Sequence, residues 1–221
     1  TLPAPIAGPG SCSHRTLAVV AYHPDVTREE WLLKRTFTGG PPDVATLMVA
    51  KRATATRISV VLPARDVEDT VGEICESIVA HWMTHTPLVD ELIVIDGASR
   101  DRTAQRARDA GAVVIDERTL LARMPAAGKG AAMWRSLAAA TGDVVVWIDA
   151  DISAFDPDFV SKLVAPLLGN PEISYVKGYY ERPLGTADGG GGRVTEICAR
   201  PLINRFQPAL AGFVQPLSGE A

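Results

Sequence analysis

The 221-residue chain has no basic excess: 22 Lys and Arg stand against 26 Asp and Glu, for a net charge of −4. That balance argues against a general grip on nucleic acid, although a local basic pocket stays open. Cysteine is scarce. Cys12, Cys75 and Cys198 are odd in number, widely spaced and in no metal-binding pattern, which excludes a disulfide framework and fits free thiols in a reducing compartment. No apolar run approaches the length of a membrane span. The N-terminus has neither the basic start nor the long apolar block of a signal peptide, so the cytoplasm is the expected compartment. It also lacks an initiator Met, so processing or trimming is expected there. Two nucleotide-binding signatures are missing. A Walker A loop would need Gly at position 123 and Ser or Thr at 130, where Arg123 and Gly130 stand. No G-x-G-x-x-G follows the first strand of the main sheet, which argues against a dinucleotide-binding Rossmann domain.

What remains is ordinary globular material, 47% apolar and 22% charged, long enough for one substantial core and short for two. Residues 1–15, rich in Pro and small residues, read as a poorly ordered leader. Residues 17–22 form either a short strand or nothing regular. A helix is expected over 27–35, capped by Asp25 or by Thr27 with Glu30, and Gly39-Gly40-Pro41-Pro42 ends it. Residues 1–56 therefore make a leader and helical segment without a chemical signature. Their expected role is packing or subunit contact, a homodimer being the simplest assembly.

From residue 57 strands and helices alternate. Strands are expected at 57–63, 91–96, 112–116, 143–149 and 173–180, with helices at 67–81, 101–110, 130–140, 156–168 and 193–206. Repeated β-α-β order predicts an α/β fold, a mostly parallel doubly wound sheet in a single domain over 57–221. Its strand ends, and the loops after them, should share one edge.

That edge collects unusual residues. The run 142–148 is apolar but for Asp143 and then stops at Asp149-Ala150-Asp151. Alternation along an extended chain would project both carboxylates side by side beyond a central strand. Either a divalent cation with oxygen ligands relieves their repulsion, or Asp151 caps the next turn with Asp149 exposed beside it. Gly128-Lys129-Gly130 opens a helix, either as an anion cradle with a point charge or as a turn with a solvated lysine. Gly190-Gly191-Gly192-Arg193-Val194-Thr195 is either a small-anion cradle with a forked guanidinium or a glycine-rich surface loop. His81 and His85 have a metal-compatible spacing, but Trp82 and Pro87 favour a helix end with solvated histidines. Met133, Trp134, Cys75 and Cys198 read as core.

Together these stretches resemble a GT-A (Rossmann-like) type nucleotide-sugar glycosyltransferase. Residues 58–64, 91–96 with 99–103, and Asp149-Ala150-Asp151 follow that layout. The chain looks still more like the actinobacterial glucosyl-3-phosphoglycerate synthases. The carrying stretches are Gly128-Lys129-Gly130 with 134–137, residues 190–196 with 199–202, and 215–220, and the resemblance covers about residues 57–220. It implies a retaining transfer of glucose from UDP-glucose to 3-phosphoglycerate, the acceptor hydroxyl attacking from the face the phosphate leaves. It further implies that Pro63, Ala64, Arg65, Val67 and Ser99 hold uracil and ribose. Asp149 and the Ala150 backbone would contact the ribose, with Lys129 along the nucleotide-sugar. Asp151 would bind Mg²⁺ or Mn²⁺, and Gly192, Arg193 and Thr195 the acceptor. Asp151 and Lys129 are the catalytic candidates.

Two departures stand out. The family pattern carries a glutamate where Val67 stands, so Asp66 or Glu68 would have to substitute, or nucleotide preference differs. Family members also continue well past the position of Ala221 and supply a metal-binding histidine there. The C-terminal part of the fold is thus expected to be missing from this sequence. A non-catalytic or differently specific nucleotide-sugar-binding domain, taking a mannosyl donor or another small anionic acceptor, is the alternative. A nucleotidyltransferase is weaker, because the Gly-rich, Arg-containing loop it needs after the first strand is absent.

Overall fold

The computed structural model describes residues 14–19, 28–37, 41–122, 128–180 and 195–206. Along the chain run β1 (His14–Val19), α1 (Arg28–Arg35), β2 (Thr36–Phe37), α2 (Val44–Thr54), β3 (Ile58–Ala64) and α3 (Val71–Ile78). Then come β4 (Glu91–Asp96), α4 (Thr103–Asp109), β5 (Val113–Asp116), α5 (Lys129–Ser136), β6 (Val144–Trp147), α6 (Asp158–Gly169), β7 (Tyr175–Tyr180) and α7 (Arg200–Phe206). Two compact units emerge, residues 41–169 and residues 1–40 with 170–221. Among the described residues no helix is long and apolar enough to cross a membrane.

In the unit 41–169, four parallel strands lie in the order β5-β4-β3-β6. Alternate side chains face opposite ways, so each apolar strand feeds two cores. Val60, Leu62, Leu92 and Val94 pack with α2, α3, α4 and α6. Val61, Ile93 and Ile95 pack on the other face with Ala132 of α5. Helix α3 buries Val71, Ile74, Cys75 and Ile78, an i, i+3, i+4, i+7 stripe. Burial pushes the Cys75 thiol up to about 12, with Glu76 adding repulsion, so this cysteine is an inert core residue. The helix expected to stop at residue 81 continues as a wider π-helical turn, Val79–His85. That turn buries the Trp82 ring, whose Nε1 donates to the Pro157 carbonyl at 2.6 Å, and leaves His81 and His85 exposed. Asp156 caps α6 as expected, accepting from the Asp158 amide at 2.9 Å.

The other unit holds an antiparallel sheet in the order β2-β1-β7. The strand left open at 17–22 forms at 14–19. The strand expected at 173–180 does not extend the parallel sheet: β7 runs antiparallel to β1, from His14↔Tyr180 to Val19↔Tyr175. Six paired residues there satisfy a backbone that β-α-β alternation alone would have assigned elsewhere. Two residues read as core are at the surface. Trp134 is 59% exposed on the outer side of α5, and Cys198 is exposed.

At the N-terminal edge of the parallel sheet, Glu91 receives the Ser59 hydroxyl and both the amide and hydroxyl of Thr141, while the Gly142 amide donates to Ser59 Oγ at 2.8 Å. Burial raises the Glu91 pKa, but these bonds outweigh it and hold the carboxyl below its ordinary value of 4.5. A depressed folded value stabilises above the unfolded one and is lost as pH falls through the folded one. Urea midpoints should therefore drop on acidification below about pH 4.5, and Glu91→Gln should flatten that decline. A Cβ on Gly142 would lie 2.5 Å from Ser59 Oγ, 2.7 Å from its amide and 3.0 Å from the Arg57 carbonyl. Gly142→Ala should cost about 2–4 kcal/mol in urea unfolding. Gly169→Ala, which meets nothing within 4 Å, should be neutral or slightly stabilising.

Candidate active site

Strand order reverses between β3 and β6, and open α/β sheets take ligands outside the strand ends at such a point. Three loops meet there: 65–70 after β3, 97–102 after β4, and 148–151 after β6. The first two are laced together by side chain to backbone bonds. The Asp66 amide donates to Ser99 Oγ at 3.0 Å, the Val67 amide to Thr103 Oγ1 at 2.8 Å, and the Glu68 amide to Asp101 Oδ2 at 3.1 Å. In return Asp66 Oδ1 accepts from the Arg100 amide at 2.7 Å, and Glu68 Oε2 from the Arg102 amide at 2.8 Å. The Thr103 hydroxyl, ahead of its own and the Glu68 amide, holds the Asp101 carboxyl below the usual carboxylate range. Asp66 and Ala98 adopt left-handed φ values of 53° and 61°, which bend the two loops towards each other.

Pro63 is half-buried and Ala64 buried at the end of β3, facing Ile95 and Asp96 of β4. Arg65 is exposed. Val67 packs its side chain against the core. Asp66 and Glu68, the two acids expected to substitute for a glutamate at position 67, are engaged with the neighbouring loop.

Beyond β6 the Ile148 amide extends the ladder by one bond to the Val61 carbonyl, and Ala150-Asp151 turns. The carboxylate pair therefore sits past the strand, in a turn. Ala150 is buried, and its carbonyl accepts from Thr70 Oγ1 at 2.6 Å. Asp151 is exposed. From the opposite face, α5 brings Lys129, whose Nζ meets Asp149 Oδ1 at 2.5 Å. Gly128 precedes it with φ 82°, a conformation that favours glycine. Arg135, 4% exposed on the same helix, donates to the Glu117 carbonyl at 3.0 Å and so fixes α5 to the turn after β5.

Lys129, Asp149, Ala150 and the loops carrying Pro63, Ala64, Arg65, Val67 and Ser99 thus share one end of one sheet. Gly192 and Arg193 lie outside the described residues, and Thr195 begins a π-helical turn, Thr195–Ala199, in the other unit. Among the described residues no group of three or more His, Cys, Asp or Glu could hold a metal ion. The donor set still suits Mg²⁺ or Mn²⁺, hard cations that bind through one or two carboxylates and complete their shell with water and substrate phosphates. Sequence assigned no role to Thr70, nor to Asp101, Thr103 and Arg135, although the last three lie in the stretches 99–103 and 134–137 that carry the resemblance. Thr70 falls inside the helix expected over 67–81, and nothing local reveals a partner 80 positions away.

A family model described as glycosyl transferase family 2 matches residues 59–213. The chain belongs to this family. Glucosyl-3-phosphoglycerate synthase of Mycolicibacterium paratuberculosis is 45% identical over 204 residues, 87% of this chain and 59% of the relative. Mannosyl-3-phosphoglycerate synthase from Rubrobacter xylanophilus superposes with a TM-score of 0.71 at 39% identity, over 87% of this chain and 61% of that one. The Mycobacterium tuberculosis glucosyl-3-phosphoglycerate synthase, in complex with Mn²⁺, UDP-glucose and phosphoglyceric acid, gives 0.63 at 38% identity, over 83% and 61%. The parallel sheet with helices on both faces is thus a GT-A-like arrangement. The chain spans about three-fifths of the length of the curated relatives it matches.

The lacing of the two loops is testable. Thr103→Val keeps the shape but strands the Val67 amide. It should cost about 1–3 kcal/mol in urea unfolding and speed hydrogen exchange at the Val67 amide beyond the change at core amides such as Val60.

Proposed function

We propose that this protein is a retaining glycosyltransferase that moves glucose from UDP-glucose to 3-phosphoglycerate, giving glucosyl-3-phosphoglycerate. One observation carries the reading: Lys129 at the start of α5 meets Asp149 beyond β6, two residues before Asp151, where the strand order of a parallel sheet reverses. Similar enzymes are named for this reaction, and one was solved with both of its substrates.

The residues divide the work by their chemistry. The laced loops 65–70 and 97–102, with Pro63, Ala64, Arg65, Val67 and Ser99, form the wall for the uracil and ribose. Asp149 and the Ala150 backbone face the ribose. Lys129, at the first turn of α5, lies along the diphosphate, where an ammonium and a helix N-terminus both favour anions. Asp151 is the protein ligand to Mg²⁺ or Mn²⁺, which when bound neutralises charge developing on the departing diphosphate. UDP so held is a good leaving group, and little acid catalysis is required of the chain. As the glucose C1–O bond to the diphosphate breaks, the acceptor hydroxyl bonds to C1 from the same face and its proton leaves towards the departing phosphate. Gly192, Arg193 and Thr195 hold the acceptor, Arg193 by paired bonds to its phosphate or carboxylate. The widely spaced cysteines support a cytoplasmic setting.

A mannosyl donor is the second reading, favoured by the likeness to a mannosyl-3-phosphoglycerate synthase and by Val67 in place of an acid. Incubating the chain with Mn²⁺, 3-phosphoglycerate and either labelled UDP-glucose or a labelled mannosyl nucleotide separates the two. Transfer from neither would leave a binding domain. Calorimetric titration should show UDP bound more tightly with Mn²⁺ than with chelator. Asp151→Ala should remove that difference, a loss of about tenfold or more. Equal UDP affinity of the unmodified chain with and without Mn²⁺ would refute the metal bridge.

A further inference from the structure

We propose that Thr70 is a positioning residue: by donating to the Ala150 carbonyl, its hydroxyl sets the direction in which the Asp149-Ala150-Asp151 turn presents its carboxylates. The proposal rests on the nucleotide-sugar and metal reading above.

Thr70 stands at the cap position of α3, where a threonine normally accepts from an amide of the first helical turn. It makes no such cap. Its hydroxyl has a single hydrogen and two carbonyls within reach, Ala150 at 2.6 Å and Val67 at 3.4 Å. The shorter contact takes the hydrogen. A residue placed to begin a helix is thus turned across the reversal of strand order, onto a turn 80 positions away.

What it grips is a pivot. Ala150 is buried at its methyl, held at its carbonyl by Thr70, and flanked by two less buried aspartates. A peptide unit is planar, so fixing the Ala150 carbonyl also fixes the Asp151 amide and the start of its side chain. Thr70 is itself fixed. Its amide donates to the Val67 carbonyl at 3.2 Å, its carbonyl accepts from Ile74 at 3.1 Å, and Val67 is tied to Thr103. The anchor therefore runs from the laced loops, through Thr70, to the carboxylate turn. The next residue, Asp151, is exposed, so water can replace the lost donor. The consequence of removing the hydroxyl should fall on binding more than on stability.

Three forms of the 221-residue chain decide it: unmodified, Thr70→Val and Thr70→Ser, each titrated with UDP in Mn²⁺ and again in chelator, with urea unfolding alongside. Thr70→Val keeps the shape and removes the donor. It should weaken UDP binding in Mn²⁺ about tenfold and leave the chelator value within about twofold, as expected for one hydrogen bond that aims a ligand group. Thr70→Ser should stay within about twofold of the unmodified chain in both conditions. A merely structural threonine would lower both affinities together and would not be rescued by serine. Equal Mn²⁺-dependent binding in Thr70→Val and the unmodified chain overturns the proposal alone, as does a Thr70→Ser as weak as Thr70→Val. An unmodified chain whose UDP affinity ignores Mn²⁺ overturns the metal reading and the proposal with it. If Thr70→Val does not fold, the same comparison is made between Thr70→Ala and Thr70→Ser, with the same outcomes deciding.

Discussion

Pairing of β6 with β3, rather than with β5, is the constraint on which the site depends. Strand β3 already has β4 on its other side, so the chain must leave β5, cross to the opposite face through α5, and return beside its first parallel strand. Every later feature follows from that crossing. The loops after β3 and β6 begin as neighbours and head for helices on the same core, while α5 arrives from the other face with Lys129 at its start. The crossing is held in place by burial: Val60 and Leu62 belong to one core and Val61 to the other, so a slip of one residue would exchange the two faces.

An open end on a sheet exposes backbone that no longer has a ladder to join. Here side chains take over that duty. Ser99, Thr103 and Asp101 accept the amides of Asp66, Val67 and Glu68, and the carboxylates of Asp66 and Glu68 accept amides in return. The exchange satisfies groups that would otherwise cost about 1–3 kcal/mol each where buried. It also commits two acids that the sequence would allow as readers of a base. The left-handed Ala98, strained by roughly 1 kcal/mol or more, persists because the surrounding bonds determine it.

Periodicity made the parallel unit legible. Apolar runs at β3, β4 and β6, the stripe on α3 and the Asp156 cap are local patterns with local causes, and they appear where expected. The carboxylate pair and Gly128-Lys129-Gly130 were legible for the same reason. Long-range pairings were not. The six-residue match of β1 with β7 is between segments far apart in the chain, and neither segment announces its partner. Thr70 and Thr103 fail in another way. Each falls inside a helix expected from the sequence, over 67–81 and 101–110, and only the folded chain shows Thr70 Oγ1 on the Ala150 carbonyl and Thr103 Oγ1 receiving the Val67 amide. Trp134 misled because a large aromatic on an Ala-rich helix suggests burial, yet the buried side of α5 is built from Ala132, Arg135 and Ser136.

The two aspartates are unequal, and the inequality has a physical origin. Unit charges about 4 Å apart interact by roughly 1 kcal/mol in water and several times more near a protein surface, so neighbouring carboxylates need a compensating cation. Lys129 meets Asp149 and is carried by a helix anchored through the buried Arg135. Asp149 is thereby neutralised from within the chain. Asp151 lies exposed in the turn whose Ala150 carbonyl Thr70 holds, open to a cation that arrives from outside. A divalent cation accompanied by a diphosphate answers that need in a way a second lysine would not. On the proposed reading it would bring positive charge to Asp151 and negative charge to Lys129 in a single ligand. On the reading proposed above, a lone carboxylate would serve as the metal contact of the parallel unit, the remaining ligands coming with the nucleotide whose charge Lys129 would meet.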